Sequence, residues 1–167
     1  MIKQEKESTG EIIQFINFRL GQEEFGVDIN SVREIIRVAD ITKIPDAPSF
    51  IYGMTNLRGQ IIPVIDLAKK FGQALQDDLP ETARIVVAEI NGQTTGMLVY
   101  EVPGVLKIKN DNIEPAPELI QSEAKKDYIR GIGKLDNRII ILLDLEKLLT
   151  PCEQNVEESA TAGISSK

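Results

Sequence analysis

The sequence predicts a mostly β chain folded as small barrels, and three observations predict it. Short runs of alternating or β-branched apolar residues recur along the chain, such as IIQFINFRL at 12–20 and IVVAEI at 85–90. Turn signals separate them at short intervals: Gly21-Gln22, Arg58-Gly59, Asn91-Gly92 and Asp136-Asn137. Finally, residues 51–71 recur without a gap 78 residues later, as residues 129–149. Many short strands punctuated by turns point to barrels.

The elements follow in order. Residues 1–10 are polar and charged and are expected to be disordered. Residues 12–20 and 24–29 read as paired strands around Gly21-Gln22. Ser31-Val-Arg-Glu34 has the form of a capping box, which places Val32, Ile35 and Ile36 on one face of a short helix. Residues 41–44 read as a short strand, and Pro45 and Pro48 bound a rigid connection. Residues 52–57 and 60–66 form a hairpin, and a helical turn begins at Leu67 and ends near Gly72. The polar stretch 72–81 reads as an internal boundary. Residues 85–90 and a strand at 97–102 pair around Asn91-Gly92, and strand continues at 105–108. Residues 109–126 are loop-like, with a short helix expected near 117–121. Strands at 128–135 and 138–144 precede a helix at 145–149, which Pro151 ends, and residues 153–167 form a second disordered tail.

The repeat acts as an internal control. Ile51-Tyr-Gly53 lies over Ile129-Arg-Gly131, Asp66-Leu67 over Asp144-Leu145, and Lys69 over Lys147. Upstream, Gly21-Gln22 matches Gly92-Gln93, Gly26 matches Gly96 and Val32 matches Val102. The chain therefore reads as one domain over 10–152, with halves of about 12–78 and 83–150 whose strands could be exchanged. Where the halves agree, the fold wants the residue. Gly53 and Gly131 suit a bulge or a close backbone approach. Asp66 and Asp144 are N-caps at strand-to-helix joints, not a catalytic pair. Where the halves differ, function is the better suspect. Arg58-Gly59 stands where the second half has Asp136-Asn137, yet arginine is not a turn residue by preference. Pro63 stands where the second half has Ile141, so residues 60–66 are expected to be an edge strand or bulged.

Composition excludes much. There is no histidine and one cysteine, Cys152. Histidine-based nucleophile pairs, histidine or thiolate metal sites and a disulfide framework are therefore out. No nucleotide-binding motif is present and no cofactor is expected; carboxylate or lysine chemistry, as in a small-ligand enzyme, stays open in principle, but nothing points to it. The net charge of −7 and the absence of tryptophan disfavour a nucleic-acid-binding barrel, the least favoured alternative. Nothing resembles a signal peptide or membrane span, so a cytoplasmic protein without direct membrane insertion is expected.

These residues resemble the CheW family, the adaptors of bacterial chemotaxis. The resemblance is carried by Phe25-Gly-Val-Asp-Ile29, Val32-x-Glu34-Ile35, Pro45-x-x-Pro48-x-Phe50 and the run from Ile51 to Leu67, including Asn56-Leu-Arg-Gly59. Ile113-x-Pro115-Ala-Pro117 and Ile129-x-Gly131-Ile-Gly133 extend it over the second half. It implies two SH3-like five-stranded lobes around a shared core. It also implies a non-catalytic scaffold that couples the cytoplasmic tip of methyl-accepting chemoreceptors to the regulatory domain of the histidine kinase CheA. The protein would be recruited to receptor arrays at the inner face of the membrane. The alternative is an adaptor of another two-component pathway. A fused receiver domain does not fit after Pro151, so a free-standing adaptor is expected.

Carried over by position, the receptor-facing set is Val32, Glu34, Gly53, Arg58, Val102 and Val105. For each valine the competing reading is plain core packing, and for Glu34 it is the capping box. Glu34 and Arg58 are expected to pair across a groove mouth. Ile41 and Ile44 are the kinase-facing candidates, with core packing again the competing reading.

Overall fold

The computed structural model describes residues 11–73, 78–117 and 126–149. The expected disordered tails, Cys152 and most of the helix expected near 117–121 lie outside them. Eleven strands run in order: β1 (Ile12–Leu20), β2 (Glu23–Asp28), β3 (Val32–Arg37), β4 (Ile51–Leu57), β5 (Gln60–Asp66), β6 (Arg84–Ile90), β7 (Gln93–Val99), β8 (Glu101–Lys109), β9 (Ile113–Glu114), β10 (Ile129–Leu135) and β11 (Arg138–Leu143). A helical turn, α1 (Leu67–Lys70), follows β5, and residues 145–149 are helical after β11. One sheet has the order β8-β1-β2-β11-β10-β9 and the other β3-β6-β7-β5-β4. The first thus has six strands instead of five, the sixth being the two-residue β9.

The sheets do not divide where the sequence repeat divides. Strands β1 and β2 of the first half join β8 to β11, and β6 and β7 of the second half join β3 to β5. Each half lends its first hairpin to the other's sheet. The loan is parallel in both cases: β11 pairs Leu142 with Gly26 on β2, and β5 pairs Val64 with Gly96 on β7. Each glycine makes room for that neighbour. A Cβ on Gly26 would stand 3.0 Å from Leu142, and one on Gly96 would stand 3.4 Å from Val64 and 2.7 Å from Ile85.

The core has three parts. Ile62, Val64, Ile85, Val87 and Leu98 fill the five-stranded lobe, and Phe15, Ile108, Ile140 and Leu142 fill the six-stranded one. The largest cluster joins them and includes Phe18, Phe25, Ile65, Phe71, Met97 and Leu148. Alternation along β5 explains this: Ile62 and Val64 face the barrel interior while Ile65 faces the other lobe. Stacked rings cross the shared cluster, with Phe25 5.5 Å from Phe18 and 5.6 Å from Phe71. Phe71 in turn lies 6.4 Å from Tyr128.

Four local expectations are corrected. Ser31 does not cap a helix, because residues 32–37 form β3; Asp28 instead accepts from the Asn30 amide at 2.9 Å and caps a three-residue 3-10 turn. The β-branched run Val32, Ile35, Ile36 favours the sheet, where it stands in register with Ala88, Val86 and Ile85. The strand expected at 97–102 is broken at Tyr100, so Val102 belongs to β8. Residues 41–44 contribute a single bridge, Thr42 to Met54. Lastly, β5 is not an edge: it lies between β7 and β4. Proline is tolerated there because its partner Met54 exchanges both backbone hydrogen bonds with Thr42, at 2.8 Å each. Pro63 therefore turns its missing donor toward β7, whose ladder starts only at Val64.

Candidate functional site

The β4–β5 hairpin closes through Arg58 and Gly59, both left-handed at φ 53° and 85°. Asn91 and Gly92 make the same kind of turn. Such turns match the twist of the flanking strands, but they suit glycine and asparagine, not arginine. The Gly59 amide donates to Asn56 Oδ1 at 2.8 Å and fixes the tip. The turn's geometry throws the Arg58 side chain back over β3.

There it meets Glu34. Arg58 Nη2 donates to Glu34 Oε1 at 2.8 Å, and Nη1 donates to Oε2, so the pair is bidentate. Glu34 reaches this position through a bulge in β3, where the register with β6 shifts between Val32 and Glu34. The Glu34 side chain is 24% exposed and that of Arg58 is 72% exposed. The guanidinium's hydrogen bonds hold the Glu34 carboxyl below the usual carboxylate range, with its charge adding to the effect. The Arg58 group is raised in turn, its first cause being the hydrogen bonds to Glu34. Two of five guanidinium donors are used on Glu34, and the Arg58 side chain is otherwise largely open to solvent.

The remaining expected residues are placed as follows. Val32 and Val102 are half-buried and pack against the cluster shared by the lobes. Val105 is 48% exposed on β8. Gly53 is buried, and a Cβ there would stand 2.5 Å from Ile41 Cγ2 and 2.6 Å from the Thr42 carbonyl oxygen. It sits at a bulge between Ile51 and Gly53, as Gly131 does between Ile129 and Gly131. Gly131 similarly faces the Glu114 carbonyl at 2.9 Å and Ile113 at 3.2 Å. Both glycines thus admit the segment that completes their barrel. Ile41 is half-buried and packs against the five-stranded lobe's core, whereas Ile44 is half-buried outside the three clusters. The structure brings Glu34 to Arg58 and Gly53 to Ile41.

Sequence reasoning missed other ion pairs. Arg33, displaced by the β3 bulge, pairs with Glu89 at 3.4 Å. In the six-stranded sheet, Arg138 makes a bidentate pair with Glu24, and Glu24 also accepts from Asn17 Nδ2 at 3.3 Å. The repeat contained a signal for Arg138, since its counterpart is the uncharged Gln60.

Two lobes that exchange hairpins and carry a largely exposed ion pair between β3 and the β4–β5 turn fit a class, a surface interaction module. The family model described as CheW-like domain matches residues 14–153. The chain belongs to that family. It is 41% identical over 137 residues to the "Chemotaxis protein CheW" of Klebsiella aerogenes, covering 82% of this chain and 81% of that one. It is 39% identical over 142 residues to the "Probable chemotaxis protein CheW" of Rhizobium etli, covering 84% and 89%. A crystal structure titled "scaffolding protein TtCheW from Thermoanaerobacter tengcongensis" superposes with a TM-score of 0.74 at 39% identity, covering 80% of this chain and 90% of that one. Among the described residues no helix is long and apolar enough to cross a membrane.

Proposed function

We propose that this protein is a non-catalytic chemotaxis scaffold that couples the cytoplasmic tip of chemoreceptors to the regulatory domain of the histidine kinase CheA. It works in the cytoplasm, recruited to receptor arrays. Membership of the CheW-like family across residues 14–153 is the observation that carries the reading. The receptor surface is the rim around the Glu34–Arg58 bridge, with Val32, Val102 and Val105 as its apolar anchors. A receptor tip is a helical hairpin, and helices dock through apolar anchors with charges at the rim fixing register. Gly53 serves this surface indirectly, by letting Ile41 and Thr42 close the barrel beneath it. The kinase surface is assigned to Ile44 with part of Ile41.

Calorimetric titration tests the site. A receptor-tip fragment should bind the wild type and bind Arg58→Ala at least about tenfold more weakly, while the kinase regulatory domain binds both alike. Equal receptor affinity for both proteins would remove Arg58 from the receptor surface.

A further inference from the structure

The chain has seven arginines, all within the described residues. Five are paired with a carboxylate: Arg19 with Glu101, Arg33 with Glu89, Arg58 with Glu34, Arg130 with Asp28 and Arg138 with Glu24. Arg37 and Arg84 have no carboxylate partner among the described residues. These two exceptions stand opposite each other, in register on β3 and β6. Like charges directly opposite on a sheet are destabilising. In a chain with seven more acidic than basic residues, a carboxylate would be easy to supply. The Arg84 guanidinium is instead held by backbone, with Nη1 donating to the Ala83 carbonyl at 2.7 Å and the Glu81 carbonyl at 3.1 Å.

Both arginines line an open hollow of about 590 Å³. Its lining is mixed, with Val38, Leu79, Pro80 and Ala83 as the apolar part. Among the described residues Glu81 is the one acid lining it, and no ion pair joins it to either arginine. Two neighbouring cations, one held by backbone carbonyls, beside apolar side chains are complementary to a carboxylate pair flanking an apolar side chain. Neither Glu34 nor Arg58 lines this hollow.

We propose that this hollow docks an acidic peptide segment of a protein partner, with two carboxylates on Arg37 and Arg84 and an apolar side chain on the wall. The proposal does not depend on the assignment of receptor or kinase surfaces. A lipid surface fits less well, because a broad basic face is needed to offset the repulsion of a chain at −7.

The test uses the full chain, labelled with nitrogen-15, and the peptide acetyl-Glu-Glu-Leu-Asp-Glu-amide at low salt. Saturable amide shifts at Arg37, Val38, Ala83 and Arg84 are expected, with none from the peptide whose acids are all amides. Arg37→Glu should weaken binding by about tenfold or more. That variant gives Arg84 a cross-strand carboxylate, so its melting temperature should hold or rise, separating loss of binding from loss of fold. The proposal is overturned by an absence of saturable shifts, or by equal binding to Arg37→Glu. It is also overturned if anionic lipid vesicles shift these amides and the peptide does not. Movement of the same amides on changing Glu153, Glu157 and Glu158 to Gln, without peptide, would assign the hollow to the chain's own tail and overturn it too.

Discussion

The Lys69 amide donates to Asp66 Oδ1 at 3.3 Å, and the Lys147 amide donates to Asp144 Oδ1 at 3.2 Å. Each aspartate's own amide donates to a carbonyl sixteen residues upstream, Phe50 at 2.7 Å and Tyr128 at 2.8 Å. One joint of the fold is thus built twice, and both carboxylates serve the backbone. Replacing either aspartate by Ala should cost about 1 kcal/mol through the lost cap, whereas Asn should preserve it. Chemical denaturation of the four variants checks this.

Asp66 carries a second consequence. It is 6% exposed, and burial raises its carboxyl above the ordinary 3.8, a shift that the Lys69 amide and charge only partly offset. A raised carboxyl favours the neutral form in the folded state. Its contribution is therefore fully present below about 3.8 and is lost as pH rises through the folded value. Asp66→Asn should match or exceed the wild-type melting temperature at neutral pH and lose that advantage below the ordinary value.

Glu24 works in the opposite direction. The hydrogen bonds from Arg138 hold its carboxyl below the ordinary 4.5, against the effect of burial. Its contribution is present above 4.5 and is lost as pH falls through the folded value. Glu24→Gln should lower the melting temperature at pH 7 and flatten the acid side of the stability profile. The bridge ties β2 to β11, where one half's hairpin meets the other half's sheet, so the loss should appear as faster unfolding of the six-stranded lobe in hydrogen exchange.

Gly53 and Gly131 rank in a defined order. A Cβ at Gly53 meets Ile41 at 2.5 Å and the Thr42 carbonyl at 2.6 Å, while at Gly131 the closest atom is 2.9 Å away. Gly53→Ala should cost about 1–3 kcal/mol and Gly131→Ala less. Thermal melts of both variants decide the order.

Much of this was legible in the sequence, for identifiable reasons. The repeat at a spacing of 78 carried the paired caps, the paired bulges and the paired hairpins, because each rests on backbone geometry that a few residue types satisfy. Arg58 stood out because the second half has Asp136 at the same left-handed position, φ 56°. The helix at 31–36 misled because a local Ser-x-x-Glu pattern competes with tertiary pairing: β3 is decided by β6, a strand fifty residues away. Of the two readings of residues 60–66, edge or bulged, the edge failed because proline excludes one hydrogen bond and not a whole neighbour; the register shift in this hairpin lies on β4, between Ile51 and Gly53. The Arg37–Arg84 pair was invisible, since register between distant strands sets it.

The proposed receptor role of the Glu34–Arg58 bridge predicts that stability and binding respond separately to its loss. Arg58→Asn should relax the left-handed turn and leave the melting temperature within about 2 °C of the wild type or slightly above it, yet weaken receptor binding. A large fall in melting temperature would make Arg58 structural.

The most direct measurement is an amide NMR titration of the labelled full chain, first with a CheA-type regulatory domain and then with a receptor-tip fragment. The scaffold account predicts two saturable sets of shifted residues that do not overlap, with Val32, Glu34 and Arg58 in the receptor set. A single shared set, or no shift with either partner at high concentration, would contradict it.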